Sequence, residues 1–425
     1  MAAEEGDARA AQAVEEAGRR DRRGRCGGRS HGRRADVLAS SPLWGRGVDG
    51  LGTADTAVVG AGIAGCAAAC FLAAAGETVL VVDPGGIGAG ASGRNGGFLF
   101  RQPARWIDEL LDEALVWYQE LEEEGPIPLE LWQWPMLLLA VEEAELDHAR
   151  AYADAVGGEE ADLRADPWLA DDLAGGFLVD GGCTVDAMAA TTAAAEAARG
   201  AGARFALGCE AKRVLVADGR VSGLATDAGV VSCGRIVVAA GPRARFLLRT
   251  AGADLPISSS RGWLLETGRV DPPPRYAIEQ AAWPEQAEMG PRSADPTLGE
   301  VAAGAVEEPA LVSLLLGGRP AGHCLIGTSL SRSLLEESEG PETIRRLATR
   351  AVRVAPHLER VPVVASWSGR RAMTPDGLPV VGPTGGIEGL EVIGGLSSIG
   401  MITAPGLARR LAVGDPGPFA AERLA

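Results

Sequence analysis

The run TAVVGAGIAGCAAACFLAAAG, residues 56–76, continues through Glu77 into TVLVVD, residues 78–83. Thr56-Ala57-Val58-Val59 is a short apolar run with strand character. It stops at Gly60, and Gly60, Gly62 and Gly65 form G-x-G-x-x-G. Cys66 to Ala75 is a small-residue, helix-forming segment closed by Gly76, and a second apolar run, Thr78 to Val82, ends in Asp83. Strand, glycine turn, helix, strand and acid form the context in which this spacing binds a dinucleotide. Gly60 permits the tight turn, Gly62 lets backbone approach a pyrophosphate, and Gly65 lets helix and strand pack closely. The phosphates belong on the helix N-terminus, at Ile63 and Ala64, where N–H groups and the helix dipole favour negative charge. Asp83 accepts hydrogen bonds from a ribose. The fingerprint alone admits NAD or FAD.

The chain has 425 residues, enough for two cores, and 46% hydrophobic with 23% charged residues is ordinary globular composition. A net charge of −17 argues against nucleic acid or an anionic membrane surface as partner. Lys212 is the only lysine. Seven scattered cysteines, without C-x-x-C or metal spacing, read as a reduced intracellular chain. No run has signal or membrane-span character, so a cytoplasmic location is expected. Residues 1–52, rich in Ala, Arg, Gly and Glu, read as a disordered leader. Within it Ser40 to Trp44 has the character of a small packing segment.

After Asp83 comes PGGIGAGASGRNGGFLFRQ, residues 84–102. So many glycines leaving a nucleotide unit suit backbone lying close against a flat group. GAGIAG, Asp83 and GASGRNGG together resemble the amino-terminal signature of the D-amino acid oxidase-like flavoproteins, which include glycine oxidases, sarcosine oxidases and D-amino acid dehydrogenases. The resemblance implies non-covalent FAD, with Ser92, Gly93, Arg94, Asn95, Gly96 and Gly97 passing along its diphosphate and isoalloxazine ring. It also implies an α/β fold, in which a Rossmann-like FAD-binding domain carries an inserted α+β substrate domain built on an antiparallel sheet. Expected FAD-binding segments are 53–100, 183–254 and 361–425, with substrate-domain segments at 101–182 and 255–360.

The intervening sequence suits that division. Apolar positions Ile107, Leu110, Leu111, Ala114, Leu115, Tyr118 and Leu121 share one helical face. Leu129 to Val141 predicts a strand pair broken near Pro135, and Glu142 to Val156 a further helix. Ala187 to Arg199 predicts a helix, Gly202 to Leu207 a strand, and 214–231 a small meander. Ile236 to Gly241 is a buried strand with small residues at its end. By resemblance Ala211 touches adenine through its backbone, and Ala240 and Gly241 approach the dinucleotide. Leu311 to Leu316 and Cys324 to Ser329 predict a hairpin. Residues 271–307 are Pro-rich and irregular. Trp263, Tyr276 and Trp283 are candidates for pocket lining, with core packing the plainer reading.

Two further signatures close the chain: ASWSGRRAMTPDGLPVVGP from Ala365, and GLEVIGGLSSIGMITAPGLARRL from Gly389. By resemblance Arg370, Gly395, Ser398, Gly400 and Met401 contact the cofactor. The helix beginning near Met401 directs its N-terminus at the flavin pyrimidine. Many relatives carry histidine where Leu396 stands, so that polar side-chain contact is lost here. The implied reaction is oxidation of the C–N bond of a small amino acid or secondary amine, with hydride passing to flavin N5. Arg371 aligns with the arginine that grips the substrate carboxylate in glycine oxidase-like enzymes, and Arg101 with a substrate-side arginine of sarcosine oxidases. A bidentate guanidinium suits that task. The sarcosine oxidases place a lysine over the flavin for oxygen, and Lys212 lies in the adenine-side meander, which tilts the reading from oxidase to dehydrogenase, although other oxidases of the family lack that lysine, and the electron acceptor is oxygen or another molecule. No metal spacing and no Ser-His-Asp arrangement emerges. The competing readings are an NAD-dependent dehydrogenase and a non-catalytic FAD-binding subunit.

Overall fold

The computed structural model describes residues 51–281, 311–331 and 340–424. Its first segment runs through β1 (Thr56–Val59), α1 (Ile63–Ala74), β2 (Val79–Asp83) and β3 (Phe98–Leu99). Then come α2 (Arg105–Glu124), β4 (Trp132–Gln133), β5 (Met136–Ala140), α3 (Leu146–Val156), β6 (Glu159–Glu160), β7 (Gly175–Val179) and β8 (Cys183–Thr184). After α4 (Ala187–Gly200) follow β9 (Arg204–Leu207), β10 (Ala211–Ala217), β11 (Arg220–Thr226), β12 (Gly229–Val231), β13 (Arg235–Val238) and α5 (Ala244–Arg249). The remainder holds β14 (Ser258–Arg269), β15 (Ala277–Gln280), β16 (Leu311–Gly318), β17 (His323–Leu330) and α6 (Gly340–Val354). It closes with β18 (Val363–Met373), β19 (Val380–Pro383), β20 (Leu390–Gly394) and α7 (Gly400–Val413).

Two sheets organise these elements. The first has the order β19-β20-β13-β1-β2-β9, with β1 parallel to both β13 and β2. Its central strands are buried on both faces, as parallel strands covered on two sides must be. α1 packs against α4 and α7 on one face. On the other, Val59, Leu80, Val82, Ile236 and Val238 share a core with Val214, Leu224 and Val231 of the β10–β12 meander. The helix α1 lies unusually close to the sheet because Gly65 has no side chain: a Cβ there would stand 1.9 Å from the Gly60 carbonyl oxygen. Gly60 itself has φ +115 and donates its N–H to Val82 O at 2.8 Å. These positions bear out the turn and close-packing roles of the two glycines.

The second sheet has the order β18-β14-β17-β16-β15-β5-β7-β6. Its apolar side chains meet α6 and Trp168 in one core and α3 in another. The expected antiparallel sheet contains one parallel pair, β15 with β5, since these strands come from widely separated parts of the chain and no tight hairpin forces them antiparallel. β18 is hydrogen-bonded along β14 in this sheet, although its sequence opens the third expected FAD-binding segment. The strand pair broken at Pro135 is two strands in different sheets, β4 with β8 and β5 with β7 and β15. β15 lies inside the stretch that reads as irregular. The described chain begins two residues inside the expected leader, with Leu51 buried at 6% exposure and Thr53 bridging Ser232. Ser40 to Trp44 and Trp283 lie outside the described residues. Among those residues no helix is long and apolar enough to cross a membrane.

Replacing Gly65 by Val should cost roughly 3 kcal/mol or more, because the intruding carbons meet backbone that cannot yield. Gly200→Ala, at the end of α4 with open space around its Cβ position, should be neutral or stabilising by up to about 1 kcal/mol. Denaturant unfolding midpoints of the two variants against the parent check this contrast.

Candidate active site

The two sheets and the C-terminal loop enclose a cavity of about 1440 Å³. Its walls come from strand ends of the first sheet, the glycine-rich loop after β2, the face of β14, β16, β17 and β18, and the loop leading into α7. At one end Gly60, Gly62, Ile63, Ala64, Asp83, Ala240 and Gly241 line it. Ile63 N donates to Ser92 Oγ at 2.9 Å, so the loop is tied to the N-terminus of α1. Asp83 stands at the end of β2 and accepts Ala61 N–H on Oδ2 and Gly85 N–H on Oδ1, both at 2.8 Å. Each oxygen of that carboxylate retains capacity for a further donor.

The glycine-rich loop is held by its own side chains. Asn95 donates to the carbonyls of Ala91 and Ser92 and accepts Gly97 N–H at 2.8 Å, so its amide serves the loop's shape. Gly97, at φ +68, has no room for a Cβ, which would stand 1.8 Å from Val185 O. Trp367 Nε1 of β18 donates to Arg94 O at 3.1 Å, and Ser397 N donates to Ala372 O at 2.8 Å. These two bonds fasten β18 between the loop and the α7 entrance. Ser398, Gly400 and Met401 line the cavity there, and Tyr118 Oη donates to Met401 O at 2.9 Å. The positive end of the α7 dipole therefore faces the enclosed space.

β18 brings arginines to the same wall. Arg371 Nη1 donates to Ser329 O at 2.7 Å and Nη2 to Thr328 Oγ1 at 2.6 Å. Among the described residues no carboxylate forms an ion pair with it. Its loss of solvent lowers the pKa from the ordinary value to about 10, which leaves it a cation at neutral pH. Arg370 faces Arg261 across the β14–β18 ladder, and both line the cavity. Burial, and then the Arg261 charge, lower the Arg370 pKa.

Not every expected residue reaches the cavity. Arg101 turns the other way from Phe100 and pairs with Asp112 at 2.7 Å and Asp108 at 3.7 Å on α2. The strand-like alternation that brings Phe100 to the cavity carries the next side chain to the helix side. Ala211 pairs with Thr226 in the meander on the far face of the first sheet. Gly65, Gly93 and Gly395 do not line the cavity either. Gly65 meets the β1 turn, Gly93 faces Met188, and Gly395, at φ +65, turns the chain beside Thr374. Among the cavity residues absent from the sequence reading, Glu279 on β15 and Thr328 on β17 carry the polar groups of most consequence. Thr328 sits in a recognisable strand, but nothing in its apolar context marks it. Glu279 follows only a three-residue strand-like run, Tyr276 to Ile278, which is too short to signal a strand.

A family model described as FAD dependent oxidoreductase matches residues 55–413. The chain belongs to this family. It is 28% identical to the glycine oxidase of Pseudomonas putida over 222 residues, 50% of this chain and 52% of that protein. It is 29% identical to the D-amino acid dehydrogenase of Rhizobium rhizogenes over 253 residues, 58% of this chain and 53% of that protein. The matched regions thus span about half the length of these relatives. In fold, the glycine oxidase structure from Geobacillus kaustophilus matches with a TM-score of 0.73 at 23% identity, covering 88% of this chain and 98% of that one.

The cavity end at Gly60 to Gly65 fits FAD, the family's cofactor. Its backbone walls meet directly, since a Cβ on Gly60 would stand 2.4 Å from Ala239 O at the end of β13, and both residues line the cavity. The α1 N-terminus supplies N–H groups for phosphate, and Asp83 has acceptor capacity for hydroxyls. Asp83→Ala removes that capacity and also frees the Ala61 and Gly85 N–H groups. It should weaken FAD retention by about 10- to 100-fold, from about 1.5–3 kcal/mol per charged hydrogen bond. Flavin fluorescence on dilution of the purified variant measures it.

Proposed function

We propose that this protein oxidises the C–N bond of a small amino acid or secondary amine with FAD, and that Arg371 binds the substrate carboxylate. The observation that carries this reading is the Arg371 cation itself. A desolvated guanidinium without a carboxylate among the described residues, on a cavity wall, is suited to an anionic ligand. Thr328 and Ser329 use two of its N–H groups and fix its plane, and the others remain for a carboxylate. The names of the relatives support the substrate class, since they include a glycine oxidase, a D-amino acid dehydrogenase and a 4-methylaminobutanoate oxidase.

FAD, when bound, supplies the two-electron acceptor for the substrate carbon. In this reading the chain's own residues do the binding and placing. The Gly60–Gly65 turn and α1 hold the diphosphate, Asp83 holds the ribose, and residues 91–97 with 396–401 border the ring. Leu314, Leu315, Phe98 and Ile344 make the substrate end apolar and exclude water, which strengthens the grip of Arg371 on an anion. The α7 N-terminus favours negative charge at the cofactor side. Lys212 pairs with Glu210 on the meander and does not line the cavity, which favours an electron acceptor other than oxygen. The six described cysteines are all free, which supports a reducing, cytoplasmic setting.

Anaerobic titration of the FAD-loaded protein with glycine, sarcosine and a series of D-amino acids should bleach the flavin in at least one case. Arg371→Met should raise the concentration needed by about 10- to 100-fold, the loss of a charge-assisted anchor worth about 1.5–3 kcal/mol. A flavin that no amine reduces, or an indifferent Arg371→Met protein, overturns the reading.

A further inference from the structure

One carboxyl group in the cavity has no role in the chemistry described so far. Glu279 lies on β15 near the middle of the second sheet, opposite Leu138 of β5 and Leu315 of β16. Its side chain lines the cavity, while the next residue, Gln280, is bound to Glu145 and Arg350. Among the described residues no hydrogen-bond donor or cation is paired with the Glu279 carboxyl. Burial without a partner pushes its pKa up to about 7. The flanking strands β5 and β16 contribute no titratable side chain beside it. From α3, Tyr152 and His148 reach the same end of the cavity. The Tyr152 hydroxyl donates to Arg101 O at 3.1 Å, and burial, then the charges of Glu279 and Asp108 of α2, raise its pKa. Glu279 is half-buried, and what it exposes opens on the cavity.

The strand register relates it to Arg371. Glu279 is opposite Leu315, and Leu315 is opposite Gly327 of β17. Thr328 and Ser329, the next two residues, hold the Arg371 guanidinium. Two strand spacings are about 10 Å. The guanidinium itself lies over Gly262 of β14, where a Cβ would stand 2.4 Å from Nη2, one strand beyond β17. The same cavity therefore presents an anion-binding and a cation-binding group on one sheet face, the complementary pair that a zwitterion carries.

We propose that Glu279 receives the substrate's ammonium group and removes a proton from it before the C–H bond is oxidised. This rests on the amine-oxidation reading above. In the step an N–H bond breaks, an O–H bond forms on Glu279, and the electron pair stays on nitrogen. The cation and the anion become a neutral amine and a neutral carboxylic acid, so no oxidant is involved. The apolar surroundings favour the neutral pair, and the freed lone pair is what hydride loss from the adjacent carbon requires. The base form of Glu279 exists above its pKa and disappears as pH falls through it, so the first step should slow on the acid side.

The test uses the full FAD-loaded chain, with flavin reduction followed anaerobically by stopped flow between about pH 6 and 9. The substrate is whichever amine bleaches the parent best. The parent's second-order reduction constant should fall on the acid side of an apparent pKa near 7, and Glu279→Gln should lose that limb and slow reduction by about 100-fold. Glu279→Asp should restore part of the rate. Benzoate, which has a carboxylate and no amine, is the probe for Arg371, read from the perturbed flavin spectrum. Its affinity and the FAD content should be within roughly twofold of the parent in Glu279→Gln. Survival of the acid limb and the rate in Glu279→Gln overturns the proposal, as does joint loss of benzoate binding and FAD, which would mark Glu279 as structural. If no amine reduces the flavin, both readings fall. If reduction and its Arg371 dependence hold while the limb persists in Glu279→Gln, this one alone fails.

Discussion

The contact between Gly65 of α1 and the Gly60 carbonyl is the constraint on which the rest of the molecule depends. With no side chain between them, the helix settles directly onto the strand-to-helix turn. That closeness points the α1 N-terminus into the cavity instead of over it. In the same turn the Ala61 N–H donates to the Asp83 carboxylate, which fastens the end of β2 to the end of β1. A carbon at either glycine would lift the helix, and the anion-binding geometry would go with it.

The second half of the site is assembled by a strand that serves both sheets. β18 is laddered along β14, yet its Trp367 and Ala372 hold the glycine-rich loop and the approach to α7. Arg371 sits between those two attachments, braced by Thr328 and Ser329 of β17. Its orientation is thus set by a rigid sheet, and the dinucleotide end and the arginine wall keep a fixed relation. Such bracing suits a reaction whose main demand on the protein is placement.

Much of this was legible in the linear chain because its signals are local. The β1–α1–β2 unit follows from apolar runs, glycine spacing and a terminal acid within 28 residues. The meander and the β16–β17 hairpin follow from short apolar runs separated by turn residues. Arg371 was found through a signature and does line the cavity. Arg101 was proposed on the same kind of ground, but its direction depends on Asp108 and Asp112 of a helix it precedes. Sequence position could not tell which side of the chain that guanidinium would take.

What the sequence by itself determined is the cofactor end: a dinucleotide turn, and through three separated signatures the FAD-dependent family that contains it. Only tertiary structure set what stands beside Arg371 in the rest of the cavity. β15 is a strand because β5 and β16 flank it, and its four residues carry too little pattern to show that in isolation. Only that pairing brings Glu279, roughly ninety residues from Arg371 in sequence, to the same wall two strand spacings from the guanidinium's support. Glycine turns are dictated by backbone sterics that act between neighbours. Opposite charges on one cavity wall arise from register between strands distant in the chain, and no local rule encodes that.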